Sequence, residues 1–255
     1  MSEPRLHFES FGSGRPIVLV HGWGTDLRHN WVTTGWVDAL RPLGRVVALD
    51  CRGHGRSDKP REPAAYGYRA MSRDVLRVLD ALGIEQADFL GYSLGAFMGV
   101  CLLVDAPQRF TSMALAGVGD ETAKSAAAGV AIAAGLRASD AEAIRDPIGR
   151  ATRAYVDANS DNDREALALS ALQMWPEGYP RALGGPRLAQ VDIPVLVVNG
   201  SEDHPYVKSD ERLVAAIRGA RLVRIPGANH LSAVTDPRFR AAVVEFLRGV
   251  RSSAT

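Results

Sequence analysis

Ala87-Asp88-Phe89-Leu90-Gly91-Tyr92-Ser93-Leu94-Gly95 is the stretch that decides the fold. Ala87–Leu90 reads as a buried strand, and Leu94, Met98, Cys101 and Leu102 recur at helical spacing immediately after it. A strand that passes into a helix through a turn this short has no room for large side chains. Glycines on both sides of the turn let the strand and helix backbones approach closely. Such a turn lifts the Ser93 hydroxyl above the edge of a sheet. It also sets the Leu94 N–H at a helix N-terminus, where negative charge on a nearby oxygen is favoured.

Outward from this stretch, short apolar runs alternate with helix-period segments. Ile17–Val20, Val46–Leu49, Met113–Ala116 and Val195–Val198 read as strands buried on both faces, as in a parallel sheet covered by helices. Arg221–Ile225 is a further strand, and Leu6–Phe11 alternates like an antiparallel edge. Met71, Val75, Val78, Leu79 and Leu82 share one helical face that ends at Gly83. Phe239, Val243, Phe246, Leu247 and Val250 share another, with Asp236 as its cap and Pro237 in its first position. The predicted fold class is α/β, with a mostly parallel, doubly wound sheet.

The alternation stops between residues 120 and 187, where the pattern is helical and rich in alanine. Ser139-Asp140-Ala141-Glu142 reads as a capping box, and Arg164–Met174 as a helix. Helices inserted at this point would cover the carboxyl ends of the strands, where ligands bind in open α/β sheets. The expected division is a core of residues 1–119 and 188–255 with a helical lid of residues 120–187, inserted after the sixth strand.

A serine hydroxyl needs a base to become a nucleophile, and the base needs an orienting carboxylate. His7 lies in the edge strand, His29 in a polar connection, His21 and His54 in glycine-rich loops, and His204 directly beside an acid. His230 follows the Arg221–Ile225 strand and precedes the last helix, which brings it near the sheet edge that carries Ser93. Asp203, just beyond Val195–Val198, is the expected acid. Asp120 and Glu202 compete with it, and Asp50 is expected to structure its own loop.

Ser93, Asp203 and His230 occur in the chain order of the α/β-hydrolase triad. The sequence resembles that superfamily, in its serine-nucleophile, lidded, carboxylesterase-like branch, over nearly its whole length. The matching stretches are His21–Gly24, Asp50–Ser57, Gly91–Gly95, Gly200–Asp203 and Gly227–His230. The resemblance implies that Trp23 supplies the second oxyanion-hole N–H beside Leu94 and that its side chain lines an acyl pocket. It implies acyl transfer to water from carboxylic esters of small or medium size, without charge. Tyr92, Tyr155, Met174, Trp175 and Tyr179 are candidate pocket walls. Arg137, Arg145, Arg150 and Arg153 are available should a substrate carry a carboxylate. Epoxide hydrolases and haloalkane dehalogenases resemble the chain in architecture but place aspartate where Ser93 stands. C–C bond hydrolases, enol-lactonases and cofactor-free haloperoxidases acting as perhydrolases share the same motifs, and the fold also hosts ligand-binding receptors with slow or no turnover.

Composition bounds the remaining classes. The 255 residues carry 30 basic and 29 acidic side chains, which gives no electrostatic case for a nucleic acid or an anionic membrane. Cys51 and Cys101 are too few for a disulfide framework and read as free thiols of a reducing compartment. The start MSEPRLHFES has no signal-peptide pattern, and the apolar tract Ala126–Leu136 is too short to span a bilayer. There is neither a P-loop nor metal-ligand spacing. The expected protein is cytoplasmic, a monomer or homodimer, needs no cofactor or metal, and has a small-molecule ester as its partner.

Overall fold

The computed structural model describes residues 3–120, 125–158, 162–177, 184–204, 206–207 and 209–253. Its strands are β1 (Phe8–Phe11), β2 (Pro16–Val20), β3 (Arg45–Leu49), β4 (Ala87–Tyr92), β5 (Phe110–Ala116), β6 (Val195–Gly200) and β7 (Arg221–Ile225). They form one sheet in the order β1-β3-β2-β4-β5-β6-β7, with β1 antiparallel to β3 and every other pair parallel. The chain turns from β2 outward to β3, then crosses back to β4 on the other side of β2. The loops after β2 and β4 therefore leave side by side at this switch point.

Both faces are covered, and strand side chains alternate between them. Val18, Val20, Val47 and Leu49 pack with α2 (Tyr68–Ala81) and α3 (Leu94–Asp105). Ile17, Leu19, Val46 and Ala48 pack with α1 (Trp36–Leu40) and with the last helix, where Phe239, Val243, Phe246 and Leu247 are buried. The Asp236 carboxylate accepts the Arg238 N–H at the start of that helix, with Pro237 in its first position. α3 is apolar all round because it is buried all round.

Between β5 and β6 lie α4 (Ala126–Arg137), α5 (Pro147–Asp157) and α6 (Arg164–Met174); α7 (Asp210–Ala216) and α8 (Pro237–Ser252) follow β6 and β7. Three expectations are corrected here. The helical segment follows the fifth strand, not the sixth. The antiparallel edge strand begins at Phe8, so Leu6 and His7 precede it, and this stretch runs beside the 50–58 loop, where His7 and Arg5 carbonyls accept the Asp50 and Asp58 amides. Ser139–Glu142 starts no helix: the Asp140 carboxylate accepts the Glu142 N–H within a bend. The cap that begins α5 is Asp146, whose Oδ1 accepts the Ile148 and Gly149 amides ahead of Pro147. An Asp followed by Pro fixes both the cap and the first φ, which the serine box does not. The inserted helices meet through small residues: a Cβ on Gly149 would stand 2.7 Å from the Ala131 carbonyl oxygen, and one on Gly129 2.8 Å from that of Ala171. No helix of the described residues is long and apolar enough to cross a membrane.

Glycines at a close approach differ sharply from those in open space. A Cβ on Gly95 would collide with the Val20 carbonyl oxygen, whereas one on Gly249 in α8 would meet nothing. Gly95→Ala is expected to destabilise the fold by about 3 kcal/mol or more. Gly249→Ala should stabilise it by about 0.5–1 kcal/mol through helix propensity. Urea unfolding of the two variants checks both signs.

Candidate active site

β4 ends at Tyr92 and α3 begins at Leu94, so Ser93 alone makes the turn, at φ 50° and ψ −106°. Only Ser209 joins it among the described non-glycine residues with positive φ. This backbone is strained for a residue with a Cβ and must be held by its surroundings. The Ser93 N–H donates to the Ala116 carbonyl at 2.8 Å, and the Ser93 carbonyl accepts from the Phe97 N–H at 3.0 Å. Gly91 and Gly95 supply the space, since a Cβ on Gly91 would strike the Gly95 carbonyl.

The loops after β6 and β7 bring two side chains to this serine. His230 Nε2 lies 3.0 Å from Ser93 Oγ, and His230 Nδ1 lies 2.8 Å from Asp203 Oδ1. A neutral imidazole with its proton on Nδ1 satisfies both contacts, donating to the carboxylate and accepting from the hydroxyl. Asp203 is buried, and its Oδ2 has no hydrogen-bond partner among the described residues. His230 must reach across β6 and β5 to Ser93. Gly117, at φ +64°, makes this possible, because a Cβ there would stand 3.1 Å from His230 Cε1. The histidine loop is rigid: Asn229 Oδ1 accepts the Leu231 and Ser232 amides, and Ser232 Oγ accepts the Asn229 N–H.

A family model described as alpha/beta hydrolase fold matches residues 15–152, more than half of the chain. The chain belongs to the α/β-hydrolase fold family. A dihydrolipoyllysine-residue acetyltransferase component of an acetoin cleaving system from Cupriavidus necator is 32% identical, over 96% of this chain and 67% of that one. A solved structure of a hydrolase from Pseudomonas aeruginosa is 33% identical with a TM-score of 0.79, covering 96% of this chain and 94% of that one. An enol-lactonase from Burkholderia xenovorans is 29% identical with a TM-score of 0.77, covering 96% and 97%.

In this α/β-hydrolase the competing acids do other work. Asp50 accepts the Leu27 and Arg56 amides at 2.8 Å each and so structures its loop, as expected. Glu202 is exposed. Asp120 is buried in the neighbouring loop, its N–H on the Ser209 carbonyl. His29 pairs with Asp26, His7 faces Glu9, and His204 is exposed.

The expected oxyanion amides lie on the two loops that the switch point brings together. Leu94 opens α3, so its N–H has no acceptor one turn back. The Trp23 amide binds no backbone carbonyl among the described residues. Its peptide is nonetheless fixed, because the Gly22 carbonyl at the other end of the same plane accepts from His21 Nδ1 at 2.6 Å. His21 Nε2 in turn accepts the Cys51 N–H at 2.9 Å.

The pocket expectations divide. Tyr155 stands against the Trp23 loop, with its Cε1 2.8 Å from where a Gly24 Cβ would be. Trp175 makes an edge contact with Trp23 at 5.4 Å between ring centroids, and Met174 is buried in the cluster beneath it. Tyr92 is corrected: its ring is buried beside Phe239 and its hydroxyl donates to the His230 carbonyl, so it supports the histidine loop and is no open pocket wall. The reason is the strand's period of two, which turns Tyr92 to the α8 face. Tyr179 lies outside the described residues. Tyr206, which the sequence reading overlooked, stacks on the His230 imidazole at 4.7 Å and 26°. Its place three residues beyond Asp203 on the same loop was the available signal.

His21 and His54 are fully buried with their rings 5.1 Å apart. Burial pushes both imidazoles down, and for His54, with His21 adding to the effect, to about 3. Both are neutral when folded but take up a proton near pH 6.5 when unfolded. The unfolded chain therefore binds more protons below pH 6.5, and stability falls as pH falls, by up to about 1.4 kcal/mol per pH unit for each group. For His54 the loss continues down to about pH 3. Urea midpoints measured from pH 7 to 5 should drop, and His54→Gln should flatten that slope.

Proposed function

We propose that this chain is a serine hydrolase of small or medium uncharged carboxylic esters. The observation that carries the reading is the continuous relay from Asp203 through His230 to Ser93, at 2.8 and 3.0 Å, on a strained strand-to-helix turn. Ser93 Oγ attacks the ester carbonyl as His230 Nε2 takes its proton, and Asp203 holds the imidazole with its other proton on Nδ1. The Leu94 and Trp23 amides receive the developing oxyanion. His230 then returns the proton to the leaving alcohol, and water releases the acid from the acyl-enzyme by the same steps.

Residues 120–187 act as a lid over the core formed by 1–119 and 188–255, with Tyr155 of α5 and Trp175 beyond α6 lying against the Trp23 loop. An uncharged substrate agrees with the state of the lid arginines. Arg153 is buried, donating to Asp157 and the Ala138 carbonyl; Arg137 is forked onto Glu165; Arg150 donates to the Ile144 carbonyl; Arg145 is exposed. A second reading, hydrolysis of an enol-lactone, is favoured by the likeness to the Burkholderia enol-lactonase. A lactone is an internal ester and needs the same steps.

Hydrolysis of p-nitrophenyl esters from acetate to dodecanoate tests the proposal. Multiple turnovers with an optimum at one chain length are expected, and Ser93→Ala or His230→Ala should lower kcat at least about a thousandfold. A wild-type rate no higher than the Ser93→Ala background across ester and lactone series would sink it.

A further inference from the structure

The Trp23 amide is flanked by groups that are held, and the holders come from two different parts of the chain. On the core side, the Gly22 N–H donates to Asn30 Oδ1 at 3.1 Å, and His21 fixes the Gly22 carbonyl. On the other side, Trp23 Nε1–H donates to Ser170 Oγ at 2.8 Å, and Asn162 Nδ2 donates to the Gly24 carbonyl at 2.8 Å. Ser170 is on α6, 147 residues away in sequence and fully buried. Its own hydroxyl proton goes to the Leu167 carbonyl, which leaves a lone pair for the indole. Asn162 stands just ahead of the same helix.

Gly24 sits at φ +75°, in a region open to glycine and closed to most residues. The backbone after Trp23 thus has little intrinsic preference, and its orientation follows from what the Trp23 ring and the Gly24 carbonyl bind. We propose that α6 positions the oxyanion hole: Ser170 and Asn162 hold the Trp23–Gly24 segment so that the Trp23 amide faces the oxygen of the carbonyl group attacked by Ser93. The helical insertion is then part of the machinery that stabilises the transition state as well as a cover for it. The hole is complete only while α6 is seated. Ser170 and Asn162 are positioning residues, since they act through the loop and touch no reacting atom. The inference rests on the reading of Ser93 as an acyl-transfer nucleophile.

Two readouts test it together. One is the rate at which an alkyl fluorophosphonate labels Ser93, a step in which Oγ bonds to phosphorus, fluoride leaves and His230 takes the hydroxyl proton. The phosphoryl oxygen uses the same hole, so this readout needs no knowledge of the natural substrate. The other is kcat and KM on the best p-nitrophenyl ester. Ser170→Ala and Asn162→Ala are each expected to slow labelling and kcat about tenfold, with KM changed by less than about twofold. Trp23→Phe removes the same hydrogen bond from the other end and should match Ser170→Ala. The Trp23→Phe/Ser170→Ala pair should be no slower than either single variant. Wild-type labelling rates in all single variants would overturn the inference and leave Ser93 as nucleophile. So would additive losses in the pair, or a rise in KM at unchanged kcat. Failure of the wild-type protein to label, with Ser93→Ala as control, would bring down the functional reading and the inference with it.

Discussion

The close approach of α3 to β2 and β4 is the constraint on which the rest of the structure depends. A helix that starts one residue after a strand must fold back over that strand within contact distance, and only Gly91 and Gly95 leave room for the carbonyls of Gly95 and Val20. This packing forces Ser93 into a positive φ and points its hydroxyl out of the sheet. The strain is local, and it is offset by a buried helix whose every face meets apolar side chains. Ser93, the proposed nucleophile, is therefore placed by the core itself.

The remaining groups come from other loops at the same edge of the sheet. Strand order decides how far each must travel. The Trp23 loop is a direct neighbour of Ser93 because β2 pairs with β4. His230 starts two strands beyond β5 and reaches back only because Gly117 leaves its ring a place. Tyr92 fastens the His230 carbonyl from below and Tyr206 covers the imidazole from above. The side chains that hold the Trp23 loop from the core side, His21 and Asn30, are buried. His21 is kept uncharged by burial, so it can donate with one nitrogen and accept with the other. A protonated ring would lose the second of these contacts. The inserted helices approach the same loop from outside, through Ser170 and Asn162.

The alternation of strands and helices, the glycine-flanked turn at Ser93, and the loops on which an acid and a histidine follow it are all legible in the chain. Those features are written in local pattern: apolar runs four or five residues long, glycines where backbones touch, and Asp-Pro ahead of the last helix. Local pattern also misled where two local signals competed, as at Ser139–Glu142, where the cap at Asp146, ahead of Pro147, starts the helix instead. It could not assign Tyr92, because the side of the sheet a strand-end residue faces depends on register with its neighbours. Long-range packing is what joins Tyr92 to the histidine loop, lays Tyr206 on the imidazole, and brings Ser170 to the Trp23 indole from 147 residues away. These contacts join segments with no periodic relation in the chain. They exist because the strand order and the insertion bring distant side chains to one sheet edge, and hydrogen-bond geometry then selects among them.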